Sequence, residues 1–172
     1  AAQWREGFPA IPGVAVPTGV NACPLLDFGP HAAIGIVSTE PPIILKPEAY
    51  PTMVPSVDAD GNDVAGVRAP MVAAPLGTYT GWNIRARGHG EGAMHEFTGS
   101  YIPFPDTPEE RAGTGDPRPS VLERYGDATG YIRAIEAAAR ALVADRLMLE
   151  EDVPRAAAAA RDWGRPRHDV RL

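Results

Sequence analysis

GDPRPSVLERYG, residues 115–126, decides the fold, because it separates a proline-rich part of the chain from a helical part. Seventeen of the 19 prolines precede residue 120. Proline lacks the N–H that a helix interior or a central strand needs, so residues 1–119 are predicted to be an irregular extension with short strands only. Ser120 and Glu123 have the spacing of a capping box, which predicts that residues 120–172 begin with a helix.

Three helices are expected in this C-terminal part. The first extends to about Tyr125, where Gly126 is suited to end it in a left-handed conformation. A second helix is predicted over about 128–148, because its apolar residues recur on one helix face. The members of that apolar stripe are Ile132, Ile135, Ala139, Leu142 and Val143. A last helix is predicted over about 151–163, with Pro154 in its first turn.

The clearest turn signal in the proline-rich part lies near residues 53–68, where DADGND separates short apolar segments. Asp60-Gly61 is the expected core of a hairpin turn. A calcium site is the alternative, because Asp58, Asp60 and Asn62 match the first three ligand positions of an EF-hand loop. The required Gly and Glu at the sixth and twelfth positions are missing, so the hairpin is favoured. The chain as a whole is therefore predicted to have a mixed α+β fold, with strands first and helices last.

Composition excludes several functional classes. The chain has 172 residues, 44% of them hydrophobic and 22% charged, which is enough apolar material for a core. A net charge of -6 argues against a nucleic-acid partner and against adhesion to an anionic membrane. No apolar run reaches the roughly 20 residues of a membrane span. The chain begins without Met or a signal peptide, so we expect a removed leader or a longer polypeptide, and the compartment stays open.

The segment GTYTGWNIR, residues 77–85, is the best candidate for a substrate-binding site. Tyr79 and Trp82 offer flat amphipathic area, and Asn83 and Arg85 offer directed hydrogen bonds, a mixture typical of a pocket wall. The alternative is that Trp82 packs in the core and Asn83 satisfies backbone groups in a turn. The two interpretations have equal support from the sequence.

No catalytic or metal-binding residue is predicted in this chain, and no cofactor. None of the four serines lies in the G-x-S-x-G sequence that usually places a nucleophile. His89 and His95 are six residues apart in a glycine-rich loop, which does not match the zinc motif H-E-x-x-H. Cys23 is the single cysteine and is interpreted as structural or incidental.

The order of several motifs resembles a known family. They are FPAIPGV, LDFGP, TEPP, MVPSVDADGNDVAGVR, PLGTYTGWNIR, TGSYIPFPDTPEERAGTGDPRPSVLERYG and ALVADRLMLEEDV. From Phe8 to about Trp163, the chain looks like the C-terminal region of the bacterial alpha/beta hydrolase domain family, whose members are large serine hydrolases. The resemblance implies an α/β-hydrolase fold for the larger assembly.

The resemblance also implies where the chemistry lies. In this fold the triad follows the chain order serine, acid, histidine, and the matching region begins after the histidine. We therefore expect this chain to be the C-terminal portion of a serine hydrolase, an esterase acting on small-molecule carboxylic esters. The Ser-His-acid triad would lie on a missing upstream part or on a companion polypeptide that carries the catalytic core. Alone, the chain is expected to be poorly stable.

A function of another class stays open at this point. The chain could be a non-catalytic binding or interaction module that uses the surface of Tyr79, Trp82 and Asn83. A fluorophosphonate probe separates the two hypotheses, because only the hydrolase predicts a labelled partner polypeptide.

Overall fold

The computed structural model describes residues 7–17, 23–50, 55–95 and 97–161. The strands in these ranges are β1 (Cys23–Asp27), β2 (Ile43–Tyr50), β3 (Gly77–Thr80), β4 (Asn83–Ile84), β5 (Met94–His95) and β6 (Ser100–Pro103). The α-helices are α1 (Pro70–Ala73), α2 (Pro108–Thr114), α3 (Val121–Tyr125), α4 (Ala128–Ala144) and α5 (Val153–Ala160). The strands pair antiparallel, as β1–β2, β3–β6 and β4–β5. This is the predicted mixed α+β fold, with short strands first and helices last.

Strands β1 and β2 make the first part of the chain more regular than the sequence predicts. They form a two-stranded antiparallel ribbon in which Cys23 pairs with Tyr50 and Asp27 with Ile43. Each strand contains a proline, Pro24 or Pro47. An isolated ribbon leaves one edge of each strand unpaired, so it accommodates proline better than the interior of a sheet does.

The DADGND segment forms a tight turn with one antiparallel bridge, between Val57 and Asp63. Gly61 has a φ of 82°, a left-handed conformation that glycine adopts without steric cost. The Val64 N–H donates to the Ser56 carbonyl at 3.0 Å, beyond the bridge. The flanking residues 53 and 54 of the predicted hairpin lie outside the described residues.

Helix α2 corrects one expectation, that residues 1–119 form an irregular extension with short strands only. The Thr107 hydroxyl accepts a hydrogen bond from the Glu110 N–H at 3.2 Å and caps the helix. Pro108 occupies the first turn, where its missing N–H costs nothing. Gly115 ends the helix with a φ of 73°. A helix therefore forms in this proline-rich segment, although the density of prolines predicts an irregular chain here.

The C-terminal helices begin at or within two residues of the predicted positions; α3 ends at Tyr125 as predicted, and α4 ends earlier. Ser120 and Glu123 form the complete capping box of α3. Helix α4 ends at Ala144, four residues before the predicted end, and Arg146 follows with a φ of 61°. Helix α5 contains Pro154 in its first turn, and the predicted end of this helix near residue 163 lies outside the described residues.

The core draws on both parts of the chain. Helix α4 packs against α1, α3 and α5. The residues of the main buried cluster are Ala74, Leu76, Phe104, Val121, Tyr131, Ile135 and Ala160. Burying a large apolar side chain contributes about 1.5–3 kcal/mol. Leu76 precedes β3 and Phe104 follows β6, so this cluster packs the ends of the β3–β6 pair against the helices and positions the site described next.

Candidate functional site

The carboxylate of Asp58 stabilises the DADGND turn through hydrogen bonds with its backbone. Its Oδ1 accepts hydrogen bonds from the N–H groups of Asp60 and Asn62, each at 3.0 Å. Its Oδ2 receives the Arg68 guanidinium at 2.7 Å. Asp60 is paired with Arg124. Asp58 therefore binds backbone N–H groups and Arg68, and Asp60 binds Arg124. Within the described ranges, no three or more metal-ligating side chains form a group that could hold a metal ion.

Asn62 joins the turn to strand β3. It is completely buried, and both ends of its amide group are used. The amide nitrogen donates to the Gly77 carbonyl at 3.2 Å, and the amide oxygen accepts from the Tyr79 N–H at 2.8 Å. The Thr78 hydroxyl donates to the Asp60 carbonyl. These bonds replace the partner strand that β3 lacks on this side.

Arg118, from the GDPRPS segment, forms hydrogen bonds with both strands of the β3–β6 pair. Its side chain is 1% exposed and lies against Asp116, with Nε–Oδ1 at 2.9 Å and Nη2–Oδ2 at 2.6 Å. Its remaining N–H groups donate to Thr78 Oγ1 at 2.9 Å and to the carbonyls of Ile102 and Pro103 at 3.0 Å. A planar guanidinium can satisfy a carboxylate and several carbonyls at once, which explains arginine here.

The ring of Phe104 is in contact with two guanidinium groups. The Cζ of Arg118 is 5.1 Å and that of Arg124 is 4.3 Å from the centre of its ring. Arg124 also reaches Asp60 in the turn, so the aromatic ring and the ion pair connect the same two segments. The long motifs around DADGND and GDPRPS are therefore structural: together they hold the β3–β6 pair and α3 in one unit.

The charge state of Asp116 depends on Arg118. Burial raises the pKa of the Asp116 carboxyl, but the hydrogen bonds and the positive charge of Arg118 together lower it more, so its pKa lies below the usual value. Arg111 acts in the same direction from farther away. The buried pair is ionised at neutral pH, and its stability is lost when Asp116 takes up a proton.

A cavity opens between β3, β6 and the helices α1, α4 and α5. Its volume is about 640 Å³ and its walls are almost entirely apolar. Tyr79, Tyr101 and Tyr131 supply the aromatic walls, and Leu76 and Ile135 lie among the apolar residues. Asp152 and Arg155, paired at 2.6 Å, are the charged residues of the lining. Cavities of this size and composition hold small molecules in other proteins.

The tyrosines of the cavity are held in place, and burial keeps Tyr79 and Tyr131 neutral. The rings of Tyr79 and Tyr101 stack at 5.1 Å, and the Tyr101 hydroxyl donates to the Leu76 carbonyl at 3.2 Å. Burial raises the pKa of Tyr79, more than its backbone hydrogen bond with Leu76 lowers it. Burial also raises the pKa of Tyr131 far above its usual value. Tyr79 and Tyr131 therefore carry no phenolate charge over the physiological pH range.

The structure separates the four predicted substrate-binding residues. Tyr79 lines the cavity, whereas Trp82, Asn83 and Arg85 are not part of its lining. The Trp82 ring packs on Phe8 with ring centres 5.5 Å apart. The Asn83 side-chain oxygen accepts from the Ile84 N–H at 2.7 Å. The exposed Arg85 pairs through its backbone N–H with the Ala93 carbonyl at 2.9 Å.

Sequence reasoning missed Tyr101 and Tyr131 as wall residues. Tyr131 precedes Ile135 by one helical turn and belongs to the buried face of α4, so the apolar spacing was a signal for it. Tyr101 faces Tyr79 only through the register of β3 and β6, in which the two residues are direct partners. No local pattern in the sequence gives that register.

The serine and histidine side chains of the described segments do not form a catalytic pair. The Ser100 hydroxyl donates to the Trp82 carbonyl at 3.0 Å, and the Ser120 hydroxyl serves the capping box. His95 Nδ1 accepts from the Phe97 N–H at 3.3 Å, and the two rings meet edge to face. Where the chain is described, no serine hydroxyl is hydrogen-bonded to a histidine.

Comparison with known proteins places this chain in a family. The model of the alpha/beta hydrolase domain family matches residues 32–158, which is more than two thirds of the chain. The chain therefore belongs to the alpha/beta hydrolase domain family. Neither a curated protein nor a solved structure matches it. No helix of the described residues is long and apolar enough to cross a membrane.

Proposed function

We propose that this chain is the C-terminal portion of a serine hydrolase that acts on carboxylic esters. The Ser-His-acid triad lies on another part of the enzyme, either upstream in a longer polypeptide or on a companion chain. The acyl transfer is performed there, and the present chain contributes stability and shapes the surroundings of the substrate. Membership of the hydrolase family supports the class of reaction.

The exposed apolar surface of the β1–β2 ribbon carries this proposal. Ile43, Ile44 and Leu45 are 55%, 58% and 59% exposed. Successive residues of a strand point to opposite faces, so both faces of the ribbon present apolar side chains to solvent. A two-stranded ribbon is marginally stable by itself, and exposed apolar patches usually mark contact surfaces.

The segment between the two strands also exposes apolar side chains. Ile34, Ile36 and Val37 are 73%, 53% and 54% exposed, and Phe28 is 37% exposed. No element outside the ribbon makes substantial contact with β1 or β2 in the described part of the chain. The surface therefore fits a larger body, and the catalytic core of a hydrolase is the body that the family provides.

Active-site labelling tests the proposal. The protein is purified from its native source by affinity capture of this chain. It is then treated with a fluorophosphonate probe, which reacts with activated serines. We expect the label on a companion polypeptide, or on an upstream segment of a longer chain. An unlabelled preparation in which the 172-residue chain is a stable monomer would instead favour the binding module that uses Tyr79, Trp82 and Asn83. A label on one of the chain's own serines would contradict both.

A pair of variants tests the role of the ribbon. Ile44→Asp places a charge in the apolar surface, and Ala112→Asp places the same charge at an exposed position of α2. We expect Ile44→Asp to reduce recovery of the labelled part at least tenfold in pull-down with a separate catalytic chain, and Ala112→Asp to have little effect. Equal recovery with both variants would remove the ribbon from the interface.

A further inference from the structure

The apolar cavity is not needed to explain the hydrolase reaction proposed above, and its chemistry points to a ligand of its own. Residues of five elements line it, and it is about half open to solvent. Its volume of about 640 Å³ lies within the range of small-molecule sites, about 300–1,000 Å³. We propose that this cavity binds one uncharged, mostly apolar small molecule with an aromatic or alkyl body.

The walls select the uncharged class. Tyr79, Tyr101 and Tyr131 present aromatic surface, and Leu76 and Ile135 add aliphatic surface. Asp152 and Arg155 form an ion pair in which Arg155 is 75% exposed, so these charges lie at the solvent edge of the lining. Against the apolar walls, a charged ligand would lose its hydration without gaining a partner of opposite charge.

The cavity is already shaped for a ligand. The stacked rings of Tyr79 and Tyr101 are fixed by the β3–β6 register, and the Tyr101 hydroxyl is bonded to Leu76. Tyr131 and Ile135 belong to the buried face of α4. A ligand that enters would order few side chains, and this lowers the entropic cost of binding.

Helix α5 offers a matched pair of positions for the test. Ala159 lines the cavity and is exposed, so it lies at the mouth. Its neighbour Ala158 is also exposed and does not line the cavity. Ala159→Trp would therefore obstruct the mouth, and Ala158→Trp adds the same ring to the same helix outside it.

The probe is the neutral dye N-phenyl-1-naphthylamine, whose fluorescence rises in apolar surroundings. We expect saturable binding of one dye per chain to the wild type and to Ala158→Trp, and at least tenfold weaker binding to Ala159→Trp. If Ala159→Trp does not keep the wild-type circular dichroism spectrum, the smaller Ala159→Leu takes its place, with a partial loss expected. Equal binding to the variants at both positions would locate the dye elsewhere, for example on the β1–β2 ribbon, and overturn the proposal.

Competition tests the ligand class separately from any hydrolase activity. 1-Octanol is expected to displace the dye from the wild type at concentrations at least tenfold lower than octanoate at pH 8. Displacement by both at equal concentration would overturn the preference for an uncharged ligand. Binding to the 172-residue chain that disappears when the catalytic part is present would show that this part covers the cavity, and would also overturn the proposal.

Discussion

Isoleucine is exposed in the β1–β2 ribbon and buried in the helical unit, which comprises residues 55–161. Ile44 in the ribbon is 58% exposed, and Ile135 in α4 is 3% exposed. The helical unit buries its isoleucine against aromatic and aliphatic neighbours, whereas the ribbon leaves its apolar side chains in solvent. The difference indicates that residues 55–161 contain their own core, and that the apolar side chains of the ribbon do not contribute to it.

The two regions also differ in their polar interactions. The helical unit contains buried polar groups around β3 and β6 whose hydrogen bonds are satisfied, including Asn62, Thr78 and Arg118. The ribbon has register shifts and exposed strands. Buried polar networks specify one arrangement of the chain, because any other arrangement leaves groups unpaired. The unit is therefore expected to be the rigid part of the chain and the ribbon the adaptable one.

Replacing Arg118 should have the largest effect on the rigid unit. Arg118→Ala leaves the buried Asp116 carboxylate without its partner, and we expect a loss of about 3–5 kcal/mol in the free energy of unfolding, measured with urea. Arg155→Ala is the control: Arg155 is 75% exposed and its ion pair is worth no more than about 1 kcal/mol. The double variant Arg118→Met with Asp116→Leu should recover part of the loss. Similar losses for Arg118→Ala and Arg155→Ala would contradict the structural role of the network.

Gly77 gives the next largest effect, through the close approach of β3 and β6. A Cβ at this position would lie 2.5 Å from the Ile102 carbonyl oxygen and 2.6 Å from the Tyr101 ring. Gly77→Ala must therefore displace backbone, and we expect it to cost about 1–3 kcal/mol in urea unfolding. Gly81→Ala is the matched control, because nothing lies within 4 Å of its Cβ position. A harmless Gly77→Ala would mean that the two strands are farther apart than described.

The reach of sequence reasoning follows the same division. The capping box of Ser120 and Glu123, the turn at Gly61 and the stripe through Ile135 are local patterns, and the structure contains each of them. Local patterns could not predict the hydrogen bond between the Arg118 guanidinium and the Thr78 hydroxyl. The two residues belong to different motifs and are 40 positions apart in the chain. The cavity was out of reach for the same reason, since its walls come from segments far apart in the chain.

Acidification should weaken the rigid unit through Asp116. Its pKa is lowered in the folded state, so its contribution to stability is fully present above the unfolded value of about 3.9 and is lost as the pH falls through the folded pKa. Thermal unfolding between about pH 5 and pH 2 should show this loss in the wild type. Asp116→Asn should be less stable at neutral pH and should lose less on acidification. Parallel pH profiles for the two proteins would assign the acid sensitivity to other carboxyl groups.

The smallest effect is expected in the ribbon, and it tests the comparison directly. Ile44→Thr changes a residue that is 58% exposed, so the free energy of unfolding should change by less than about 0.5 kcal/mol. The same change at Ile135, which is 3% exposed, places a hydroxyl in the core and removes apolar contacts, and should cost about 2–3 kcal/mol. Urea unfolding of the isolated chain, followed by circular dichroism, measures both. A large loss for Ile44→Thr in the isolated chain would show that the ribbon packs on the chain's own core, and its apolar surface would no longer argue for an external catalytic body.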